Sequence, residues 1–346
     1  MAEYDEIINA VRIIAKNEQP DIDISDMLQI HKCFYFLARL PKTEAEKDMA
    51  FNKVVIWERY RTCAPVFSAI KNIPYAVIKG AVLSQAAHGD IIYRRSGDID
   101  LLVSRDNIDK LLAIMRENGF VQGRISDDGI IPFTRKEILF HSSMTHQTAP
   151  FIKKTNNILC PYVKVDINME VLWGEKTIKS NMDYILSNTV LFNVCGVEVY
   201  KLDTVMEFIS LCLHHYKDMN SIYLLSQGSL KLYLFCDIYF YLINNSVDIA
   251  ELSEKCGKLN VAEYVYYCVY YANMIFNDTK LDEYLFALKN EKCENILDTF
   301  GLDNDERKVW DIPFCKRLFS ENFLEKFKAL LTEKDIEKIR KNLSFM

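Results

Sequence analysis

Between residues 73 and 202 the sequence alternates short strand-like runs with short helical segments, and long amphipathic stretches lie on either side of this block. Residues 75–79 form a short apolar run that stops at Gly80, and residues 98–103 (DIDLLV) form a second one. Strands that alternate with helices predict a small mixed sheet, so the fold class that we predict is α+β. The predicted regions are an N-terminal helical region (1–72), a mixed-sheet domain (73–202) and a C-terminal helical region (203–346).

The clearest strand of the block lies at residues 162–171, where apolar and polar side chains alternate. Successive side chains of a strand point to opposite faces of the sheet, so one face fills the core and the other is polar. The apolar positions are Val163, Val165, Ile167 and Met169, and the polar positions are Lys164, Asp166, Asn168 and Glu170. A further strand-like stretch at 191–202 has Gly196 in a predicted turn.

Apolar residues spaced three and four apart predict helices on both sides of the block. Before it, the predicted helical segments are 6–16, 23–40 and 43–72, the last of which opens with a capping box at Thr43 and Glu46. After it, they are 203–217, 229–242, 248–259, 261–277 and 281–290. Inside the block, a helix predicted at 106–118 ends at Gly119, a residue type that commonly follows a helix C-terminus.

Charge and cysteine content limit the class of protein. The 346 residues carry a net charge of −6 and no long run of Lys and Arg, which argues against a protein that binds duplex nucleic acid. The ten cysteines are scattered without a CxxC pair, as expected for buried thiols in a reducing cytosol. No stretch approaches the roughly 20 apolar residues that span a bilayer, and the N-terminus is acidic and amphipathic rather than signal-like. We therefore expect a cytoplasmic protein that does not insert into a membrane.

Asp98 and Asp100 are the centre of the functional prediction. Residues two apart on a strand face the same side, with Cα atoms on the order of 6.5 Å apart. Two carboxylates at that spacing repel each other unless a cation lies between them, and Mg²⁺ prefers carboxylate and phosphate oxygens. A metal site for phosphoryl chemistry needs a third carboxylate nearby, and Asp166 on the polar face of the later strand fits best. Glu170, on the same face, is the alternative.

The turn before these acids has features of a phosphate site. A glycine between a strand and a helix lets backbone N–H groups approach a phosphate, and the N-terminus of the following helix favours negative charge. Gly80 has that position, Lys79 adds a positive charge, and Arg94 lies just ahead of Asp98. We predict that these three residues bind the phosphates of a nucleoside triphosphate such as ATP.

The run IKGAVLSQAAHGDIIYRRSGDIDLLV resembles the signature of a bacterial nucleotidyltransferase family with a KG…R…DIDLLV motif, an uncharacterised family of the DNA polymerase beta-like superfamily. The resemblance covers roughly residues 70–245 and continues through VKVDINMEVLW and LDTVMEFISLCLHHYKD. It implies a polymerase beta-like palm domain with an N-terminal helical cap and a C-terminal helical bundle. It also implies Gly80 in the nucleotide turn, Asp98 and Asp100 as metal ligands, and Asp166 as the third acid. Where the wider superfamily has a second Gly or a Ser after that glycine, this chain has Ala81.

These residues predict transfer of a nucleotidyl group from a nucleoside triphosphate to a hydroxyl-bearing small molecule, peptide or protein, with Mg²⁺ or Mn²⁺ as the cofactor. Two alternatives stay open. One is a catalytically degenerate nucleotidyltransferase fold that binds a nucleotide or a protein. The other is a toxin-type nucleotidyltransferase that modifies protein or RNA. The acceptor, the preferred nucleotide and the oligomeric state are not predicted.

Four histidines and one buried acid invite a second interpretation. His214 and His215 suggest a metal site, with His141 and His146 as possible partners, but adjacent residues of a helix point about 100° apart and do not share one ion comfortably. We expect structural roles for these histidines. Asp237, inside an apolar helix, is expected to have a structural partner.

Overall fold

The computed structural model describes residues 2–40, 45–144, 147–171, 181–228, 230–302 and 307–343. The chain forms two compact units. The helical unit comprises Met1–Thr43, Leu211–Ile243 and Asp248–Met346, and the sheet unit comprises Glu44–Ser210 and Asn244–Val247. The domain boundaries predicted after residues 72 and 202 stay a prediction.

The helical unit begins with three helices, α1 (Ala2–Ala15), α2 (Ser25–Ile30) and α3 (Phe34–Leu37). The single helical segment predicted at 23–40 is wrong, because α2 and α3 are separated by Lys32, whose φ is +59°. A tertiary contact lies beside this break, since Nδ1 of His31 accepts the backbone N–H of Leu232 at 3.0 Å. Helical periodicity alone does not reveal such a contact.

The sheet unit begins with the long helix α4 (Ala45–Ile70), which agrees with the helix predicted at 43–72. The capping box predicted at Thr43 and Glu46 begins outside the described residues. One face of α4, including Ile56, Tyr60 and Phe67, is buried against the core of the sheet. This burial holds α4 on the sheet despite the proline at position 65.

Eight strands form the sheet, in the order β4-β3-β5-β6-β2-β1-β8-β7. Their bounds are β1 Tyr75–Ile78, β2 Ile99–Val103, β3 Val121–Ser126, β4 Gly129–Pro132, β5 Phe151–Lys154, β6 Tyr162–Asn168, β7 Thr189–Val194 and β8 Val197–Leu202. β2 lies between β1, to which it is antiparallel, and β6, to which it is parallel. The mixed sheet confirms the predicted α+β class.

Four helices accompany the strands: α5 (Gly80–His88), α6 (Ile108–Glu117), α7 (Arg135–Met144) and α8 (Met182–Ser187). Short 3₁₀ turns occupy Ile91–Tyr93 and Arg105–Asn107. As predicted, α6 ends just before a glycine with positive φ, Gly119 (φ +78°). The predicted stretch at 191–202 is a hairpin of β7 and β8 with Gly196 in its turn.

The core of the sheet unit explains why the acids lie on one face. Alternate residues of β2 (Ile99, Leu101 and Val103) and of β6 (Val163, Val165 and Ile167) belong to one apolar cluster. The intervening residues of both strands therefore face the opposite side of the sheet. Asp100 and Asp166 are among those intervening residues, as the alternation at 162–168 predicted.

The remainder of the chain is mostly helical. The helices are α9 Thr204–Asn220, α10 Ile222–Ser226, α11 Tyr233–Asn244, α12 Ile249–Leu259, α13 Ala262–Phe276, α14 Lys280–Leu288, α15 Cys293–Ile296, α16 Phe314–Phe319, α17 Phe323–Ala329 and α18 Glu333–Leu343, with a two-stranded ribbon of β9 Thr299–Phe300 and β10 Lys308–Val309. The five helices predicted after residue 203 agree with these within a few residues. Among the described residues, no helix is both long enough and apolar enough to cross a membrane.

Candidate functional site

Three carboxylates lie close together on the polar face of the sheet. Asp100 on β2 is directly opposite Asp166 on β6 in the register of the parallel pair. Neighbouring strands are about 4.8 Å apart, so the two side chains leave the same face side by side. Asp98 precedes β2 by one residue and, two residues before Asp100, faces the same side. The three acids predicted from the sequence are therefore neighbours.

Two lysines lie among these carboxylates. The Nζ atom of Lys164 is 2.9 Å from Oδ2 of Asp166 and 3.5 Å from Oδ2 of Asp98. The Nζ atom of Lys79 is 3.0 Å from Oδ1 of Asp100. When all five groups are ionised, the three carboxylates exceed the two ammonium groups by one negative charge.

Two amide side chains fix the orientation of Asp100. Asn168 donates from Nδ2 to Oδ1 of Asp100 at 3.1 Å and to the backbone oxygen of Leu101 at 3.3 Å. Gln147 in turn donates from Nε2 to Oδ1 of Asn168 at 2.6 Å. Strand alternation signalled that Asn168 shares a face with Asp166, but no feature of the sequence pointed to Gln147.

Burial and neighbouring charges shift the pKa of Asp166 on β6. Burial, together with the nearby carboxylates of Asp98 and Asp100, raises the pKa of Asp166 to about 6 against the opposing effect of Lys164. Burial alone would lower the pKa of Lys164, but the carboxylates of Asp166 and Asp98 outweigh burial and raise it. Asp166 is thus a carboxyl group whose negative charge is incompletely neutralised.

The donor chemistry of this cluster suits a divalent cation. Carboxylate oxygens are the ligands that Mg²⁺ and Mn²⁺ prefer, and a cation would relieve the repulsion that raises the pKa of Asp166. Within the described ranges, however, no three His, Cys, Asp or Glu side chains are arranged as ligands of one ion. The carboxylate oxygens are instead engaged by Lys79, Lys164 and Asn168.

The turn between β1 and α5 carries backbone strain. Lys79 has φ +59° and ψ −150°, a region that is essentially restricted to glycine, and Gly80 follows with φ +46°. A Cβ atom at Gly80 would lie 3.5 Å from Oγ of Ser96. The positive φ at Gly80 lies at the first N–H groups of α5, and the role of this turn in binding phosphate stays a prediction.

A pocket lies beside this turn, and its lining includes Gly80, Ser96, Asp98, Asp100 and Arg59. Oγ of Ser96 donates to the backbone oxygen of Asp98 at 2.8 Å and is 3.3 Å from its Oδ1. Nη1 of Arg59 donates to the backbone oxygen of Ser96 at 2.5 Å, whereas its buried Nε has no hydrogen-bond partner among the residues that the structure describes. No sequence feature pointed to Arg59, because it lies on α4 outside the DIDLLV motif.

The sequence also predicted Arg94 as a phosphate-binding residue and Glu170 as the alternative third acid. The backbone N–H of Arg94 donates to Oγ of Ser84 at 3.1 Å, and Arg94 is not among the described residues that line the pocket. Oε1 of Glu170 lies 3.5 Å from Nε of Arg105, beyond the end of β6. Of the two acids considered for the third position, Asp166 is therefore the one that lies beside Asp100.

The histidines have separate partners. Nε2 of His214 is 3.5 Å from Oδ2 of Asp218, and Nε2 of His215 is 3.1 Å from Oδ2 of Asp237. The latter two side chains are fully buried, so the expected partner of Asp237 is His215. The ring of His141 contacts that of Phe133, and His146 lies outside the described residues.

The geometry can be compared with known proteins. A family model described as "Uncharacterised nucleotidyltransferase" matches residues 44–277, which is more than half of the chain. The chain belongs to this family. The matched range includes residues of both units, among them Lys79, Gly80 and all three acids. The family resemblance is confirmed, whereas its bacterial origin and the KG…R…DIDLLV motif stay predictions.

A solved structure is also similar to this chain. It is described as an antigenic nucleotidyltransferase-like protein from Paracoccidioides brasiliensis, and the match covers 70% of this chain and 93% of that one. The identity is 17% and the TM-score is 0.39, a level at which the superposition carries no argument about the site. No curated protein matches the sequence.

Proposed function

We propose that this protein transfers a nucleotidyl group from a nucleoside triphosphate to a hydroxyl-bearing small molecule, peptide or protein and releases pyrophosphate. The observation that carries the proposal is the in-register pair of Asp100 and Asp166, with Asp98 on the same face beside the strained turn at Gly80. Membership of a nucleotidyltransferase family supports the same chemistry. The polymerase beta-like palm layout with its helical cap and bundle belongs to this proposal.

Each acid has a role that follows from its place. Asp98 and Asp100 would hold Mg²⁺ or Mn²⁺, and Asp166 would complete the ligand set. The bound cation would supply positive charge at the reacting phosphate and its leaving group. Asp166, the acid whose pKa is raised by burial and by its neighbours, accepts or orients the proton of the attacking hydroxyl.

The phosphates would bind at the turn. α5 begins at Gly80, and the backbone N–H groups of its first turn point outward from the helix N-terminus. Negative charge is favoured there. Lys79 and Arg59 supply positive charge beside the pocket, with Arg94 as the third basic residue of the sequence motif. Ser96, whose hydroxyl lies next to Gly80, offers the hydroxyl that Ala81 lacks.

A labelling assay tests the proposal. The protein is incubated with each α-labelled nucleoside triphosphate, Mg²⁺ or Mn²⁺ and cell extract, and label is sought on small molecules, peptides and proteins. We expect label from the wild type and none from the double variant Asp98→Asn/Asp100→Asn. A triphosphate with Mg²⁺ should also raise the melting temperature of the wild type alone, since a ligand that binds only the folded state stabilises it.

The two arms of this experiment separate an enzyme from a binding module. A stabilised wild type that labels no acceptor, and whose Asp166→Ala variant binds the triphosphate unchanged and complements a deletion strain, would refute catalysis. An undiminished thermal shift in the Asp98→Asn/Asp100→Asn variant would place the nucleotide elsewhere. The ten cysteines are free and mostly buried, which supports a reducing, cytoplasmic setting for the assay.

A further inference from the structure

The two lysines of the acid cluster differ in how firmly they are held. Lys79 belongs to the strained turn, its side chain is 16% exposed, and within the described part of the chain it pairs with the one acid Asp100. Lys164 lies on β6, its side chain is 35% exposed, and its ammonium group bridges Asp98 and Asp166. Of the two ammonium groups, that of Lys164 is therefore on the more exposed side chain and is the one that bridges two acids.

The position of Lys164 coincides with the position that a cation would need. Its Nζ atom lies between one carboxylate from the start of β2 and one from β6, the same pair that a metal ligand set would draw on. An ammonium group and a divalent cation cannot both occupy the space between Oδ2 of Asp98 and Oδ2 of Asp166. Binding of one therefore excludes the other.

We infer that Lys164 is a tethered counter-cation, which holds Asp98 and Asp166 together in the metal-free protein and is displaced when the divalent cation binds. This inference rests on the proposed function, because it assumes that the acid cluster is the metal site. Lys164 is thus a positioning residue. It keeps the carboxylates from repelling one another before the substrate arrives, at the expense of some metal affinity.

The displaced ammonium group stays near the site, because the stem of Lys164 is anchored on β6. Its charge then adds to that of Lys79, which contacts Asp100 on the same face. Lys164 therefore exchanges carboxylate partners for phosphate partners when metal and nucleotide enter together. When the metal ion binds without a nucleotide, Lys164 loses its carboxylate partners and gains no phosphate partner.

Mn²⁺ titration of the full-length protein tests the inference. The readouts are the dissociation constant for Mn²⁺ alone, from the electron paramagnetic resonance of free Mn²⁺, and the melting temperature in EDTA. For Lys164→Met we expect about three- to tenfold tighter Mn²⁺ binding, because the internal competitor is gone. We also expect a lower melting temperature in EDTA and a larger rise on adding Mn²⁺ than in the wild type.

Three further variants make the result specific. Lys164→Arg keeps the charge, so the melting temperature in EDTA should stay near that of the wild type and Mn²⁺ should bind no more tightly. Lys154→Met removes an exposed lysine from the adjacent strand β5 and should change neither readout. If Lys164→Met is insoluble, Lys164→Gln is used, and the same tightening is expected.

The outcomes separate this inference from the proposed function. If the wild type binds Mn²⁺, the Asp98→Asn/Asp100→Asn variant does not, and Lys164→Met binds with unchanged or weaker affinity, then Lys164 is not a competitor and the inference is refuted alone. If the wild type binds no Mn²⁺ at all, the metal site of the proposed function fails, and the inference fails with it. A Lys154→Met protein that behaves like Lys164→Met would show that only net charge matters, which also refutes the inference.

Discussion

Replacing Asp166 by Asn should stabilise the metal-free protein while it slows transfer by a factor of about 10²–10³. Burial, with repulsion from Asp98 and Asp100, raises the pKa of Asp166 from its ordinary 3.8 to about 6. This shift of about two pKa units corresponds to roughly 3 kcal/mol in favour of the neutral form over the ionised one. The side chain is only 15% exposed, so solvent screening removes a minor part of this energy. Asn mimics the neutral form, and we expect a gain of about 1–3 kcal/mol in unfolding free energy at pH 8.

The sign of the pH dependence follows from the same shift. Below pH 3.8 the carboxyl group is protonated in both the folded and the unfolded chain, so the folded state pays no penalty there. Between about pH 4 and pH 6 the unfolded chain loses the proton first, and the wild type loses the contribution of this group to stability. Above pH 6 the loss is complete. The advantage of Asp166→Asn over the wild type should therefore grow across this window and then level off.

The assay is denaturant unfolding in EDTA at several pH values from 4 to 8, followed by turnover with metal and triphosphate. Loss of a charged group at the reacting centre typically costs about 10²–10³ in rate, and we expect a loss of that size. Saturating Mn²⁺ should narrow the stability gap, because the cation neutralises Asp166 in the wild type alone. An Asp166→Asn protein that is less stable than the wild type at pH 8 in EDTA would refute the reasoning, as would a gain that does not shrink toward pH 4.

Three more predictions test the turn, the pocket and the helical unit. Gly80→Ala places a Cβ atom at φ +46° and 3.5 Å from Oγ of Ser96, so calorimetry should show a loss of about 1–2 kcal/mol together with weaker triphosphate binding. Arg59→Met should weaken binding of inorganic triphosphate, measured by calorimetric titration, while Arg61→Met on the same helix, whose guanidinium is exposed and pairs with Glu58, serves as the control. Burial, with the nearby charge of Lys231, lowers the pKa of His31 to about 4, so unfolding free energy should fall by up to about 3 kcal/mol as the pH drops from about 6.5 to 4. Because Asp166 changes stability in the opposite direction over the same range, the test is the difference between the wild type and His31→Gln, and a difference that does not change with pH would contradict this.

Local patterns predicted the elements that carry the site. Alternation at 162–171 indicated a strand whose polar face bears Lys164, Asp166, Asn168 and Glu170, and β6 has that arrangement over Tyr162–Asn168. The glycine after the apolar run at 75–79 indicated a strand, a turn and a helix, which are β1, the strained turn and α5. These features depend on neighbours within a few residues, so a single sequence contains the information needed to infer them.

The relations between elements could not be predicted in this way. Direct pairing of Asp100 with Asp166 depends on the order and register of strands that are far apart in the chain. Arg59 reaches the pocket only because α4 packs on the sheet, and Gln147 reaches Asn168 only because an isolated bridge forms between them. The break between α2 and α3 has a similar origin, since His31 is held by a backbone group two hundred residues away.

Two energetically unfavourable features, a buried carboxylate and a strained backbone, are in contact in the sheet unit. β2 is buried along its whole length, and a carboxylate inside such a strand is unfavourable unless it is paired. Lys79 holds a backbone conformation that costs on the order of 1–3 kcal/mol for a residue with a side chain. Glycine at 79 and leucine at 100 would remove both costs, yet the chain keeps Lys79 and Asp100 and joins them by an ion pair of 3.0 Å. Sequences depart from local rules chiefly at functional sites, so this pair argues for chemistry at the turn rather than for a purely structural role.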